Sequence, residues 1–234
     1  MNTDDRSAAT REAFETFLDR GARGRDWPAW SALFTDDAVY TEHCMGQFHG
    51  SAGVAEWIEA AMEPVACMTF SIEWAITEGD LMAFWIWNHL PTPPAGTVDE
   101  YCFPNLSILS HAGNGQWAAQ EDLYEPAWTA CVVDWFRAGG SPTMAPDPTL
   151  RPIQPSYPPP PPDGPPRDVV SAALASLSPT SSPARLEVIE GGAGVAVFDA
   201  PERAYGVTCH VHTDGRIAFS DVVSNPGERA NPFG

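Results

Sequence analysis

The sequence predicts an α+β protein: helices packed on one face of a curved antiparallel sheet, followed by a smaller helix-plus-strands unit. Three observations carry this. In the first 140 residues, apolar residues at helical spacing fall in four short stretches. Four strand patterns run from Thr69 to Tyr124 with turn residues between them. A further helix pattern and four strand patterns close the chain.

Residues 7 to 23 set Ala8, Phe14, Phe17 and Leu18 at helical spacing, with Arg and Glu between them. A short helix is expected from Trp27 to Phe34, then a strand from Ala38 to His43. Gly46 and Gly50 mark turns, and Ser51 is the expected N-cap of a helix running to Met62, ended by Pro64. From Thr69 to Ile76, Phe70, Ile72, Trp74 and Ile76 alternate with other residues, so one face is buried. Leu81 to His89 is apolar on both faces, which predicts a central strand or an interface. Strands Tyr101–His111 and Gln116–Tyr124 flank the turn Ala112-Gly113-Asn114-Gly115, and Ala127 to Arg137 reads as a helix.

The expected division is residues 1–140 as the first domain, 141–166 as a Pro-rich linker and 167–234 as a small C-terminal unit. Pro158 to Pro162 predict a stiff spacer. The C-terminal unit reads as a helix (168–177) and strands near 186–190, 194–198, 205–212 and 216–223. Its segment GRIAFSDVVSNP, from Gly215 to Pro226, parallels GQWAAQEDLYEP, from Gly115 to Pro126. Both place Gly and Pro eleven apart, with an apolar residue two after the Gly and an acid six after it. This pattern predicts a partial repeat of the first domain's second half. Lacking a first strand, the repeat cannot close a cone of its own, so its sheet is expected to pack on the outer sheet face of the first domain.

The chain has 234 residues and a net charge of -19, and all 12 of its bases are Arg. With no Lys there is no Schiff-base nucleophile, pyridoxal-phosphate anchor or P-loop lysine. The acidity disfavours nucleic acid and anionic membrane as partners. No fixed positive charge lies between Asp26 and Phe136, yet all nine Trp do. A pocket built there has no cation to clamp phosphate or carboxylate, so its expected ligand is a small, neutral, hydrophobic molecule. Five widely spaced cysteines without a CxxC pair, and an acidic N-terminus without a signal pattern, predict a cytoplasmic protein with reduced thiols. Cys209, His210 and His212 invite a metal reading, but only His210 and His212 share a strand face and no third ligand is evident, so no metal is expected, and no cofactor.

The segment FTDDAVYTEHCMGQFHGSAGVAEWI resembles the opening of SnoaL-like domains of the nuclear-transport-factor-2-like superfamily. FSIEWAITEGDLMAFWIWNHLP and NLSILSHAGNGQWAAQEDLYEP are similar to an actinobacterial subgroup of it. The resemblance covers about residues 8 to 138. It implies a cone, a curved sheet wrapped around helices with a dry apolar interior. It also implies the sheet-face pairing that such domains use as dimers, here met within one chain or by a homodimer. Members include ketosteroid isomerases, polyketide cyclases, scytalone dehydratase and limonene epoxide hydrolase, besides many non-catalytic proteins, so fold alone does not choose an activity.

The isomerase base sits at the end of the first strand. Counting from Ala38 selects Glu42; counting back from Gly46 selects His43. Tyr40 shares a face with Glu42 and is a candidate donor. Asn105 and Ser107 occupy the oxyanion-side positions, a departure from the isomerases that is closer to scytalone dehydratase. An Arg-free pocket argues against the limonene epoxide hydrolase mechanism. The cyclases use an acid on the last strand, which selects Asp122, with Gln120 and Tyr124 on its face. The structural alternative is an acid capping the following helix. Trp30, Trp74, Tyr101, Asn105, Ser107 and Gln120 are the expected substrate contacts. Trp85 and Trp87 fit either a pocket wall or an outer-face contact, and His89 a rim position. The expected function is cofactor-independent isomerisation, cyclisation or dehydration of a neutral carbonyl compound such as a polyketide or steroid-like molecule. The alternative is a non-catalytic ligand-binding or assembly module.

Overall fold

The computed structural model describes residues 2–98, 100–124, 127–146, 164–201 and 203–224. The proline run at 158–162 and the repeat's two prolines, Pro126 and Pro226, lie outside them. Helix α1 (Thr3–Leu18) opens with a capping box: the Asn2 side chain accepts from the Asp5 amide, and the Asp5 side chain from that of Asn2. It buries Thr10, Ala13, Phe14, Phe17 and Leu18, then runs into a π-helical turn, Asp19–Arg23. Asp26 caps the short α2 (Trp27–Ser31). Strands β1 (Phe34–Glu42) and β2 (Gly46–His49) form a hairpin ahead of α3 (Gly50–Met62). That helix starts earlier than a Ser51 cap implies. Gly50 has φ of 67°, and a Cβ there would meet the Asp36 carbonyl oxygen at 2.6 Å, so only glycine makes this turn.

Strands β3 (Thr69–Glu78), β4 (Leu81–Leu90), β5 (Tyr101–Gly113) and β6 (Gln116–Tyr124) form an antiparallel meander, followed by α4 (Trp128–Arg137). The sheet order is β2-β1-β6-β5-β4-β3, with β1 and β6 parallel. The parallel pairing sets Tyr40 beside Gln120 and Glu42 beside Asp122. Helices α1 to α3 fill the concave face, where Phe14 meets Phe84 with ring centroids 4.8 Å apart.

In the C-terminal unit, α5 (Arg167–Leu177) precedes a second antiparallel meander, β7 (Ala184–Glu190), β8 (Ala193–Ala200), β9 (Arg203–Val211) and β10 (Ile217–Ser224). Helix then four-stranded meander is also the order of α3 and β3 to β6. The convex face of the first sheet presents Ile76, Ala83, Trp85, Leu106, Ile108 and Leu123. Against it pack Val188, Val195, Val197, Ala204 and Val223. Alternation along β4 serves two cores, with Phe84 inward and Trp85 outward, which is why that strand is apolar on both faces. The sheets approach closely: a Cβ on Gly206 would lie 2.6 Å from the Leu106 side chain. Arg185 reaches Glu121 at 2.6 Å and Arg167 reaches Glu78 at 2.8 Å across the junction. Helix α5 covers the far face of the second sheet with Val170 and Leu174.

Candidate functional site

Between the concave sheet face and α1 to α3 lies a cavity of about 130 Å³. Trp27, Trp30, Trp57, Phe70, Phe84 and Trp128 supply much of its wall. Its two ionisable acids are Glu42 and Asp122, and no Arg or His lines it among the described residues. Register explains the pair. Glu42 and Asp122 face each other across the parallel β1–β6 ladder, and Ser107 faces Asp122 across β5–β6. Cross-strand partners on one face lie about 5 Å apart at Cβ, so the two carboxyls are close by construction.

Their environments differ sharply. Asp122 is 3% exposed and accepts hydrogen bonds from Ser107 Oγ at 2.6 Å, Gln120 Nε2 at 3.0 Å and the Tyr40 hydroxyl. Glu42 is 1% exposed, and among the described residues no side chain hydrogen-bonds its carboxyl; only the backbone amides of Met45 and Cys44 approach it. Burial, then the charge of Asp122, raises the Glu42 pKa to about 8, with the nearby amides of Met45 and Cys44 offsetting this in part. Burial also raises Asp122, against the pull of Ser107, Tyr40 and Gln120. Burial and then Asp122 hold the Tyr40 phenol well above its ordinary value.

A backbone group orients the hydrogen-bond chain that ends on Asp122. Asn88 Nδ2 donates to the Phe103 carbonyl at 3.1 Å and to Asn105 Oδ1 at 2.8 Å. A carbonyl can only accept, so the Asn88 amide has one orientation. Asn105 must then present Nδ2 to Ser107 Oγ, at 2.8 Å, and Ser107 gives its proton to Asp122. Every donor in the chain points toward Asp122. Two adjacent buried carboxyls do not both ionise at neutral pH. The donors favour charge on Asp122, and Glu42, with no side-chain donor of its own, is the better holder of a proton.

The family model for the SnoaL-like domain matches residues 13–120. This stretch is a SnoaL-like domain. The match includes every residue of the polar chain except Asp122, which lies two residues beyond it. Similar solved structures include a SnoaL-like protein of Shewanella denitrificans OS-217 (17% identity, 55% of this chain and 97% of that one, TM-score 0.44). Another is a Catenulispora acidiphila protein with a ketosteroid isomerase-like fold, in complex with trimethylamine (18%, 56% and 95%, 0.43). A third is an epoxide hydrolase of the LEH-like type from M. tuberculosis (17%, 56% and 90%, 0.41). No curated protein matches the chain. No helix among the described residues is long and apolar enough to cross a membrane.

Of the expected site residues, the SnoaL-like domain and the rest of β6 bring Trp30, Tyr40, Glu42, Asn105, Ser107, Gln120 and Asp122 to one cavity. Three others lie elsewhere. His43 alternates outward from Glu42 and bonds Glu121 at 2.6 Å on the convex side, where Arg185 also binds that acid. Counting along the strand from Ala38 therefore gives the inward residue. Trp74 is on the convex face, because a bulge between Ile72 and Trp74 inverts the alternation. Phe70 and Ile72 remain inside while Trp74 and Ile76 turn out. Tyr101 is buried at the start of β5, but under the loop at Gly96 rather than at the cavity.

Trp85 and Trp87 also face outward, and Trp117 is core. Asn88, Trp57 and Trp128 join the expected residues in lining the cavity. Asn88 carries a signal in the sequence: it is the one amide on a strand whose same-face neighbours are Met82, Phe84 and Ile86. Tyr40 and Asn105, expected to hold a substrate oxygen, are engaged instead with Asp122 and its chain.

Proposed function

We propose that the SnoaL-like domain is a cofactor-independent acid/base enzyme, an isomerase, cyclase or dehydratase acting on a compact neutral carbonyl compound. The observation that carries this reading is the pair Glu42 and Asp122 in one apolar cavity, with hydrogen bonding that separates their protonation states. Glu42, as the neutral acid, donates to the substrate carbonyl oxygen. Asp122 takes a proton from the adjacent carbon, whose C–H electron pair moves into the enol system. The same proton returns at another carbon in an isomerisation, or leaves with a β-hydroxyl as water in a dehydration. Tyr40, Gln120 and Ser107 hold Asp122 in place, and Asn105 and Asn88 hold Ser107.

The cavity volume narrows the substrate class. About 130 Å³ is near the size of a site that accepts benzene, and well short of the roughly 300 Å³ where drug-sized pockets begin. A single-ring or branched carbonyl compound fits better than a steroid or a polycyclic polyketide. The same small volume favours a second reading, a non-catalytic module whose cone is largely filled by its own side chains.

Exchange of α-hydrogens for deuterium separates the two readings, because it registers enolisation whatever the later step. Single-ring enones and β-hydroxy ketones, incubated with the protein in heavy water, should exchange faster than in buffer. Asp122→Asn should lower the enzyme-dependent rate by about 10²- to 10⁴-fold. Exchange no faster than buffer across the panel, or an unaffected Asp122→Asn variant, would reject the enzymatic reading.

A further inference from the structure

Away from the cavity, three side chains of different chemistry converge at the end of the β4–β5 ladder. His89 and Cys102 are register partners, and both alternate to the convex side, opposite Asn88 and Phe103. Glu100 lies two residues before Cys102. His89 Nδ1 and Glu100 Oε1 are 2.6 Å apart, and Ser71 Oγ lies 2.8 Å from His89 Nε2. One imidazole nitrogen, one carboxylate oxygen and one sulfur lie within 4.8 Å of one another.

We propose that His89, Glu100 and Cys102 form a binding site for a borderline-soft divalent cation of the zinc class. Three ligands of types N, O and S are the usual protein contribution to a four-coordinate zinc with one open position. Metal–ligand distances of about 2.0 to 2.3 Å place tetrahedral ligands about 3.3 to 3.8 Å apart. The present spacing reaches that with rotamer adjustments. Ser71 on the remote ring nitrogen of His89 supplies the outer contact that fixes a ligating imidazole. A sulfur ligand selects zinc or cobalt over magnesium and calcium. Glu100, with its side chain 45% exposed, leaves the fourth position open to solvent. Arg137, which lines the neighbouring pocket with Glu100, is paired with Asp134. Binding replaces the thiol proton of Cys102, which is released to solvent, and the His89–Glu100 hydrogen bond gives way to two bonds to the metal. Cys209, the buried cysteine of β9, lies outside this cluster, and His210 and His212 are joined by no third ligand among the described residues.

The test is a cobalt(II) titration of the full chain, reduced and treated with chelator. The wild type should develop a thiolate-to-cobalt charge-transfer band that excess zinc abolishes. Cys102→Ser should lose the band, whereas Cys131→Ser and Cys209→Ser should keep it. Glu100→Gln, a change at an exposed side chain that does not threaten folding, should keep the band but weaken cobalt affinity about tenfold or more. No thiolate band in the wild type, a band that survives Cys102→Ser, or unchanged affinity in Glu100→Gln would overturn the proposal.

Discussion

At pH 9 the Glu42→Gln variant is expected to be more stable than the wild type by about 5 kcal/mol, while at pH 4 the two should be nearly equal. The reason is linkage. Glu42 has an ordinary value of 4.5 when exposed and about 8 in the folded protein. Below the unfolded value both states carry the proton and its titration adds no penalty. Between the two values the folded state holds a proton that the unfolded state has released, so stability falls as pH rises. The slope is about 1.4 kcal/mol per pH unit, and the loss is complete above the folded value. Gln keeps the shape and polarity of the protonated acid and does not titrate. Urea unfolding of both proteins across this range reads the difference directly. A difference that stays flat with pH would show that Glu42 does not carry the proton. A difference that grows with pH as expected would mean that the cavity stores instability at neutral pH, the cost expected of a site tuned for acid/base work.

The second large effect concerns the convex face. Cutting the chain after Gly140 uncovers Trp85, Leu106, Ile108 and Leu123, which pack on Val188, Val195, Val197 and Val223 in the full chain. Each buried side chain of this size contributes about 1.5 to 3 kcal/mol, so exposing the set leaves a continuous apolar patch. The ion pairs lost with it, Arg11–Glu190, Arg185–Glu121 and Arg167–Glu78, are partly exposed and contribute little by comparison. The truncated protein should dimerise through this face or aggregate, and sedimentation of the two proteins at matched concentration checks it. A well-behaved truncated monomer would show that the second sheet is not what keeps the first one covered.

Much of the architecture is legible in the residues because local rules and tertiary packing agree. Alternation in β4 announces a strand with two covered faces, and four strand patterns after a helix pattern in the C-terminal unit announce a second meander. The misplacements have separate causes. A period of two fixes a face only until a bulge intervenes, and the bulge before Trp74 carries no Gly or Pro to mark it. At the end of β1, two counts give Glu42 and His43, and the parallel pairing with β6 decides between them. Parallel pairing of strands so distant in sequence leaves no local trace. The cavity's small volume is not legible either, since it depends on how far Trp27, Trp30 and Trp57 reach inward. Nor is the engagement of Tyr40 and Asn105 with Asp122. Residue types show that a polar group can donate; only geometry shows to what.

The proposed chemistry depends above all on one proton being held on Glu42 while Asp122 carries the charge. NMR of the two carboxyl carbons, assigned by Glu42→Gln and Asp122→Asn and followed through a pH titration, reads both groups at once. Glu42 should titrate with a midpoint near 8, and Asp122 should show the shift of an ionised carboxylate at pH 7. A Glu42 midpoint near its ordinary 4.5, or a neutral Asp122 at pH 7, would contradict this assignment of the proton.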